Sequence, residues 1–156
     1  MTYLSFGSFE LAQLAGVTMR QLQGEAGFMV GVLLSGLKRY YLLTGDERVA
    51  EAIVGGARWL IEHTYDEKAG HFRYTSCPNR TLGGGFQQTQ WVLEGLADAY
   101  EISGDPEIGR YVENGLNAIG LFPEGVGHLG LGKAMAQQMR YVPTVLAAVQ
   151  NDFRTE

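Results

Sequence analysis

The residues able to do chemistry fall in two clusters. His71, Arg73 and Tyr74 follow one another closely, with Gln87, Gln88 and Trp91 a short way on; His128 stands in a glycine-rich run, and Arg140 follows it. Histidine and tyrosine can hold and pass a proton, so His71, Tyr74 and His128 are the candidates for general acid and base. An arginine guanidinium forks onto a carboxylate, glutamine amides donate and accept, and tryptophan offers a flat apolar platform. Arg73, Arg140, Gln87, Gln88 and Trp91 are therefore the candidates for binding, and the set suits an anionic ligand.

Each candidate also has a plainer reading. His71 and Arg73 can be the solvent side of a hairpin, Trp91 and Tyr100 can be core, and the glutamines can satisfy nearby backbone groups. Cys77 is a nucleophile only beside a base, which the sequence does not supply. The three histidines, His63, His71 and His128, have no ligand-like spacing, so neither a metal nor any other cofactor is expected. Gly125-Val-Gly-His-Leu-Gly130 has dinucleotide-binding spacing, but Pro123 interrupts its approach and no β-α-β unit surrounds it. Asn79-Arg80-Thr81 is a glycosylation triplet of a kind that arises by chance.

The elements that must position these residues come from a repeat. Leu33–Leu60 aligned on Val92–Ile119, an offset of 59, is identical at seven of twenty-eight positions, among them Gly36/Gly95, Tyr41/Tyr100, Gly45/Gly104 and Asp46/Asp105, so the chain is built from repeated units. Each unit reads as a helical hairpin. Phe28–Leu43 is apolar nearly all round, which predicts an inner helix buried on most sides. Gly45 can end that helix in the left-handed conformation and Asp46 can cap the next. Val49, Ile53, Ala57 and Leu60 then recur on one stripe, which predicts an outer helix with a wet side.

The expected organisation is an arm over 1–26, hairpin one over 27–63, a β-hairpin and loop over 64–85, hairpin two over 86–119, and a loop with a last inner helix over 120–156. In the arm, Ser8 and Thr18 are candidate caps of short helical turns. Alternation after Gly70 places Phe72 and Tyr74 on one strand face and His71, Arg73 and Thr75 on the other. Gly125–Gly132 reads as a loop, and Pro143 either starts the last helix or kinks it. The fold class is mainly α, antiparallel helical hairpins with one short β-hairpin.

Such hairpins place the short Gly-Asp turns at one pole and the long connections at the other. The long connections gather His63, Lys68, His71, Arg73, Arg80, His128, Lys133 and Arg140, a basic mouth into which the inner-helix N-termini also point. The chain as a whole is acidic, 17 acidic against 12 basic residues for a net charge of -5, which argues against general binding to nucleic acid. The apolar run Phe28–Leu34 is too short to cross a bilayer, and the opening residues lack a basic leader. One cysteine excludes an internal disulfide and leaves the compartment undetermined.

The hairpins with their Thr44-Gly45-Asp46 and Ser103-Gly104-Asp105-Pro106 turns, and the Gly70-His71-Phe72-Arg73-Tyr74 strand, resemble the α/α toroids of carbohydrate-active proteins, the six-hairpin glycosidase-like group. The resemblance implies a carbohydrate ligand, an acidic sugar such as a uronate suiting the basic mouth, and a glycoside hydrolase or polysaccharide lyase if there is catalysis. It covers most of the chain after Gly27 and maps no family's catalytic residues onto numbered positions. The two and a half hairpins here do not close a ring, so either a longer chain or self-association supplies the remainder. The alternative is a non-catalytic helical scaffold that binds other proteins or itself.

Overall fold

The computed structural model describes residues 25–76, 86–119 and 128–152, with the backbone alone for 86–88, 119, 128–135, 137–138 and 151–152. The expectations for the arm over 1–24, for Cys77 and the Pro78–Gly85 loop, and for the Pro123 approach lie outside them. The elements are α1 (Gly27–Thr44), α2 (Glu47–Thr64), β1 (Tyr65–Asp66), β2 (His71–Phe72), α3 (Phe86–Ser103), α4 (Pro106–Ile119) and α5 (His128–Asp152). The described chain is mainly helical with one antiparallel β-hairpin.

The two helix-to-helix turns are built alike. Gly45 takes φ 65° and its N–H donates to the Tyr41 carbonyl; Gly104 takes φ 62° and donates to Tyr100. Only a residue without a Cβ adopts this left-handed conformation cheaply. Asp46 Oδ1 then accepts the Arg48 N–H at 3.1 Å, and Asp105 Oδ1 accepts the Glu107 N–H at 3.0 Å, which satisfies orphan donors at the starts of α2 and α4. The Thr44 and Ser103 hydroxyls match as well, each donating to the carbonyl one turn back and accepting from the aspartate N–H.

Helices α1, α3 and α5 form an inner layer, with α2 and α4 packed over it, and α3 is the centre. It contacts every other helix, and all its residues from Val92 to Tyr100 are buried. Glycine lets α1 come close: a Cβ on Gly31 would lie 2.5 Å from the Trp91 carbonyl oxygen, and one on Gly95 would lie 2.7 Å from the Gly31 carbonyl oxygen. The outer helices bury one stripe each, Ala50, Ile53, Ala57 and Leu60 on α2, and Ile108, Tyr111 and Val112 on α4.

The structure corrects three expectations. Helix α1 is not buried on most sides: Met29, Val32, Leu33, Tyr40, Leu42 and Leu43 are exposed, because among the described residues α1 is an edge of the layer and has an inner neighbour, α3, on one side only. The alternating strand is shorter than its pattern. Phe72 is its last residue; Tyr74 and Thr75 leave the hairpin, the Tyr74 carbonyl accepting the Gly27 N–H at 3.0 Å and Thr75 bridging to Ala26. Finally, the glycine-rich run is helical from His128, and α5 continues through Pro143. That proline leaves the Met139 carbonyl without its helical donor, but both residues are exposed, where water can serve the carbonyl.

Candidate functional site

The described part of the first long connection, the β-hairpin, lies at one pole of the helices. The β-hairpin lies at the C-terminus of α2 and the N-termini of α1 and α3: the Arg73 N–H donates to the Thr64 carbonyl at 2.7 Å, Gly27 is tied to Tyr74, and the Phe72 N–H donates to the Thr89 hydroxyl at 3.0 Å. Asp66 shapes the hairpin turn by accepting the Lys68 and Ala69 N–H groups. These backbone bonds, the one to Ala69 foremost, hold its carboxyl below the usual range.

Within this pole the predicted residues separate. The Arg73 guanidinium donates to the His63 carbonyl at 2.7 Å and to the Thr64 carbonyl at 3.5 Å. It caps the α2 C-terminus, where a cation also meets the negative end of the helix dipole. His71 sits opposite Asp66 in the β-ladder, with Nδ1 enclosed and without a hydrogen-bond partner. Gln87 and Gln88 fall in the first turn of α3 and His128 at the start of α5; their side chains lie outside the described atoms. From Tyr141 back to His128 is about 20 Å of helix at 1.5 Å per residue.

Tyr74, Trp91 and Arg140 are brought together, through two aromatic residues the sequence reading did not single out for a site. The Tyr74 ring packs on Phe28 at 5.4 Å, Phe28 meets Trp91 edge-on at 6.3 Å, and Trp91 meets Tyr141 at 5.2 Å. The Arg140 guanidinium lies 5.1 Å from the Tyr141 ring centre. Three inner elements thus contribute to one aromatic row: Phe28 starts α1, Trp91 is in the second turn of α3, and Tyr141 is midway along α5.

Beside this row, α3 carries a polar stripe at four-residue spacing, Gln90, Glu94 and Asp98, which are 1 %, 9 % and 4 % exposed. Such spacing puts all three on one helix face. Both amide atoms of Gln90 and the Tyr141 hydroxyl are buried without a partner, a condition buried polar groups rarely tolerate. Burial pushes the Glu94 carboxyl above its ordinary range; Asp98 adds to this, and Arg140 and Arg39 partly oppose it. Asp98 is bound to Lys38 at 2.8 Å, and Glu101 takes the same ammonium. Desolvation lowers the Lys38 pKa, but its two carboxylate partners outweigh that and leave it raised. Burial likewise raises the Tyr141 phenol, which keeps its donor proton in place.

Comparisons with protein-family models, curated proteins and solved structures give no match.

The stripe can hold a proton at Glu94, offer a neutral amide and a phenol to hydroxyl groups, and set Arg140 against an anion. Among the described residues no group of three His, Cys, Asp or Glu side chains is placed to hold a metal, and no helix is long and apolar enough to cross a membrane. A hollow of about 400 Å³ lies on the outer layer between Arg58, Tyr65, Glu67 and Tyr111. Within it Arg58 is already paired with Asp105 and Tyr111 with Glu67. Glu94 and Asp98 were not singled out from the sequence, although the three acids Glu94, Asp98 and Glu101 in a helix rich in apolar residues are a signal that could have found them.

Proposed function

We propose that this chain is part of an α/α-toroid carbohydrate-active protein and binds an acidic sugar on the inner-layer surface around Trp91 and Glu94. The observation that carries the reading is the buried Glu94 carboxyl, whose proton affinity burial raises, beside an aromatic row and the unpartnered Gln90 and Tyr141 groups. Sugar rings stack their C–H faces on aromatic side chains and present hydroxyls that such groups can bond. Arg140 and Arg39, whose charges both reach Glu94, supply the cations for a uronate carboxylate. Glycosidic hydrolysis is the reaction this donor would serve: Glu94 gives its proton to the leaving oxygen as the glycosidic bond breaks, water adds to the anomeric carbon, and Asp98, the second carboxylate on the same face, takes the water's proton.

The test is titration with uronate oligosaccharides, read by tryptophan fluorescence and by chemical shifts. Binding should perturb Trp91 and Tyr141, weaken at least tenfold in Trp91→Ala, and weaken in Arg140→Gln for uronates more than for neutral sugars. If saturating uronate leaves the residues around Trp91 unmoved, the reading fails. A second reading, a non-catalytic helical scaffold that self-associates, is favoured by one observation, the exposed apolar side of α1.

A further inference from the structure

On the side of α1 turned away from α3, Met29, Val32, Leu33, Tyr40 and Leu43 are exposed, Leu43 by 86 %. Between them Gly36 has nothing within 4 Å of where a Cβ would stand. At 100° per residue these six positions fall on one stripe about 100° wide. Exposed apolar surface gathered on one face marks an interface rather than ordinary surface.

The repeat says what kind of surface this is. Fifty-nine residues on, the positions matching Leu33, Gly36 and Tyr40 are Val92, Gly95 and Ala99. All three are buried, and Gly95 is where α3 receives the backbone of α1. The positions that join one inner helix to another are, on α1, uncovered. The stripe is also arranged evenly about its glycine. Met29 and Leu43 lie seven residues to either side of Gly36, and Val32 and Tyr40 lie four to either side. An antiparallel copy centred on Gly36 therefore sets Met29 against Leu43 and Val32 against Tyr40, twice over, as a two-fold interface requires. The glycines meet at the centre, where helices come closest, and the two helix dipoles oppose. No acidic residue occurs in α1; Arg39 falls against the apolar Leu33 of the second copy, so no like charges face each other directly.

We propose that this face binds a second copy of the chain, α1 against α1 in antiparallel register, with the two-fold axis at Gly36. A rotation about an axis normal to the inner layer keeps α2 and α4 on the same side in both copies, so the two layers continue across the junction. The proposal deepens the self-associating reading; it shares Arg39 with the proposed sugar surface, but its stripe substitutions, at Leu33 and Gly36, lie on other residues.

Sedimentation velocity across a dilution series tests the association, and cysteine pairing tests its register. The chain should sediment as a dimer. Leu33→Glu and Gly36→Leu, both at exposed positions, should weaken the dimer on the order of tenfold or more while leaving the circular dichroism spectrum unchanged. In a Cys77→Ser background, Gly36→Cys should oxidise to a self-linked dimer, because only a residue on the axis meets its own copy within disulfide reach. Met29→Cys should link to Leu43→Cys in a mixture and far less to itself. A monomer at every concentration, a dimer indifferent to both stripe substitutions, or preferential linking of Met29→Cys to Met139→Cys, which a head-to-tail arrangement would give, each overturns the proposal.

Discussion

Replacing Gly31 by alanine tests whether α1 and α3 touch through their backbones. The added Cβ would lie 2.5 Å from the Trp91 carbonyl oxygen and 2.9 Å from the Val92 Cα, against about 3.4 Å or more for ordinary contacts. Both neighbours are main-chain atoms in the middle of a buried helix and cannot rotate away, so α1 must move outward. Overpacking of this kind costs about 1–3 kcal/mol, and the rigidity of these neighbours places the cost near the upper end. Alanine regains about 1 kcal/mol of helix propensity over glycine, which leaves a net loss of about 2 kcal/mol. For a chain of this size that lowers Tm by roughly 4–8 °C. Gly55→Ala is the control: Gly55 is in α2, exposed, with nothing within 4 Å of its Cβ position, and there the propensity term acts alone, raising stability by up to about 1 kcal/mol. Thermal and urea unfolding of both variants at one dilute concentration gives the comparison. If Gly31→Ala matches or exceeds the native stability, the close approach of the two helices is refuted, and with it the placement of Phe28 beside Trp91.

Two further predictions concern the polar stripe, alongside the sugar and dimer tests above. Because burial raises the Glu94 carboxyl above its ordinary value of 4.5, its contribution to stability is fully present below that pH and is lost as pH rises through the folded value; Glu94→Gln should therefore raise Tm relative to the native chain at pH 7 but not at about pH 3.5, as thermal scans at the two pH values will show. Lys38→Met strands the Asp98 carboxylate, whose side chain is 6 % exposed, and should cost about 3 kcal/mol in urea unfolding; adding Asp98→Asn should restore part of that loss, and equal losses in the single and double variants would deny the coupling.

The turns were readable in advance because every partner they need lies within four residues. Gly45, Asp46 and Thr44, and their counterparts Gly104, Asp105 and Ser103, satisfy one another locally, so no distant contact can reassign them. The same holds for the apolar stripes of α2 and α4, whose period alone marks the side that must leave water. The surroundings of the candidate residues were only half legible. Trp91, Tyr74 and Arg140 belong to one row, but Arg73 proved to be a helix cap, because its partners are carbonyls at His63 and Thr64 that no side-chain motif announces.

What the sequence by itself determined is the repeated hairpin, its two glycine-aspartate turns and the mainly helical class. What only the tertiary structure decided is burial. The more apolar helix, α1, lies at the edge, while α3, which carries Gln90, Glu94 and Asp98, is buried from Val92 to Tyr100. The proton affinity of Glu94 is set by its burial, and then by Arg140, 46 positions away, and by Lys38 and Arg39, 56 and 55 positions away. Periodicity reports which face of a helix avoids water; it carries no information about which helix receives neighbours on both sides, since that depends on contacts between segments far apart in the chain.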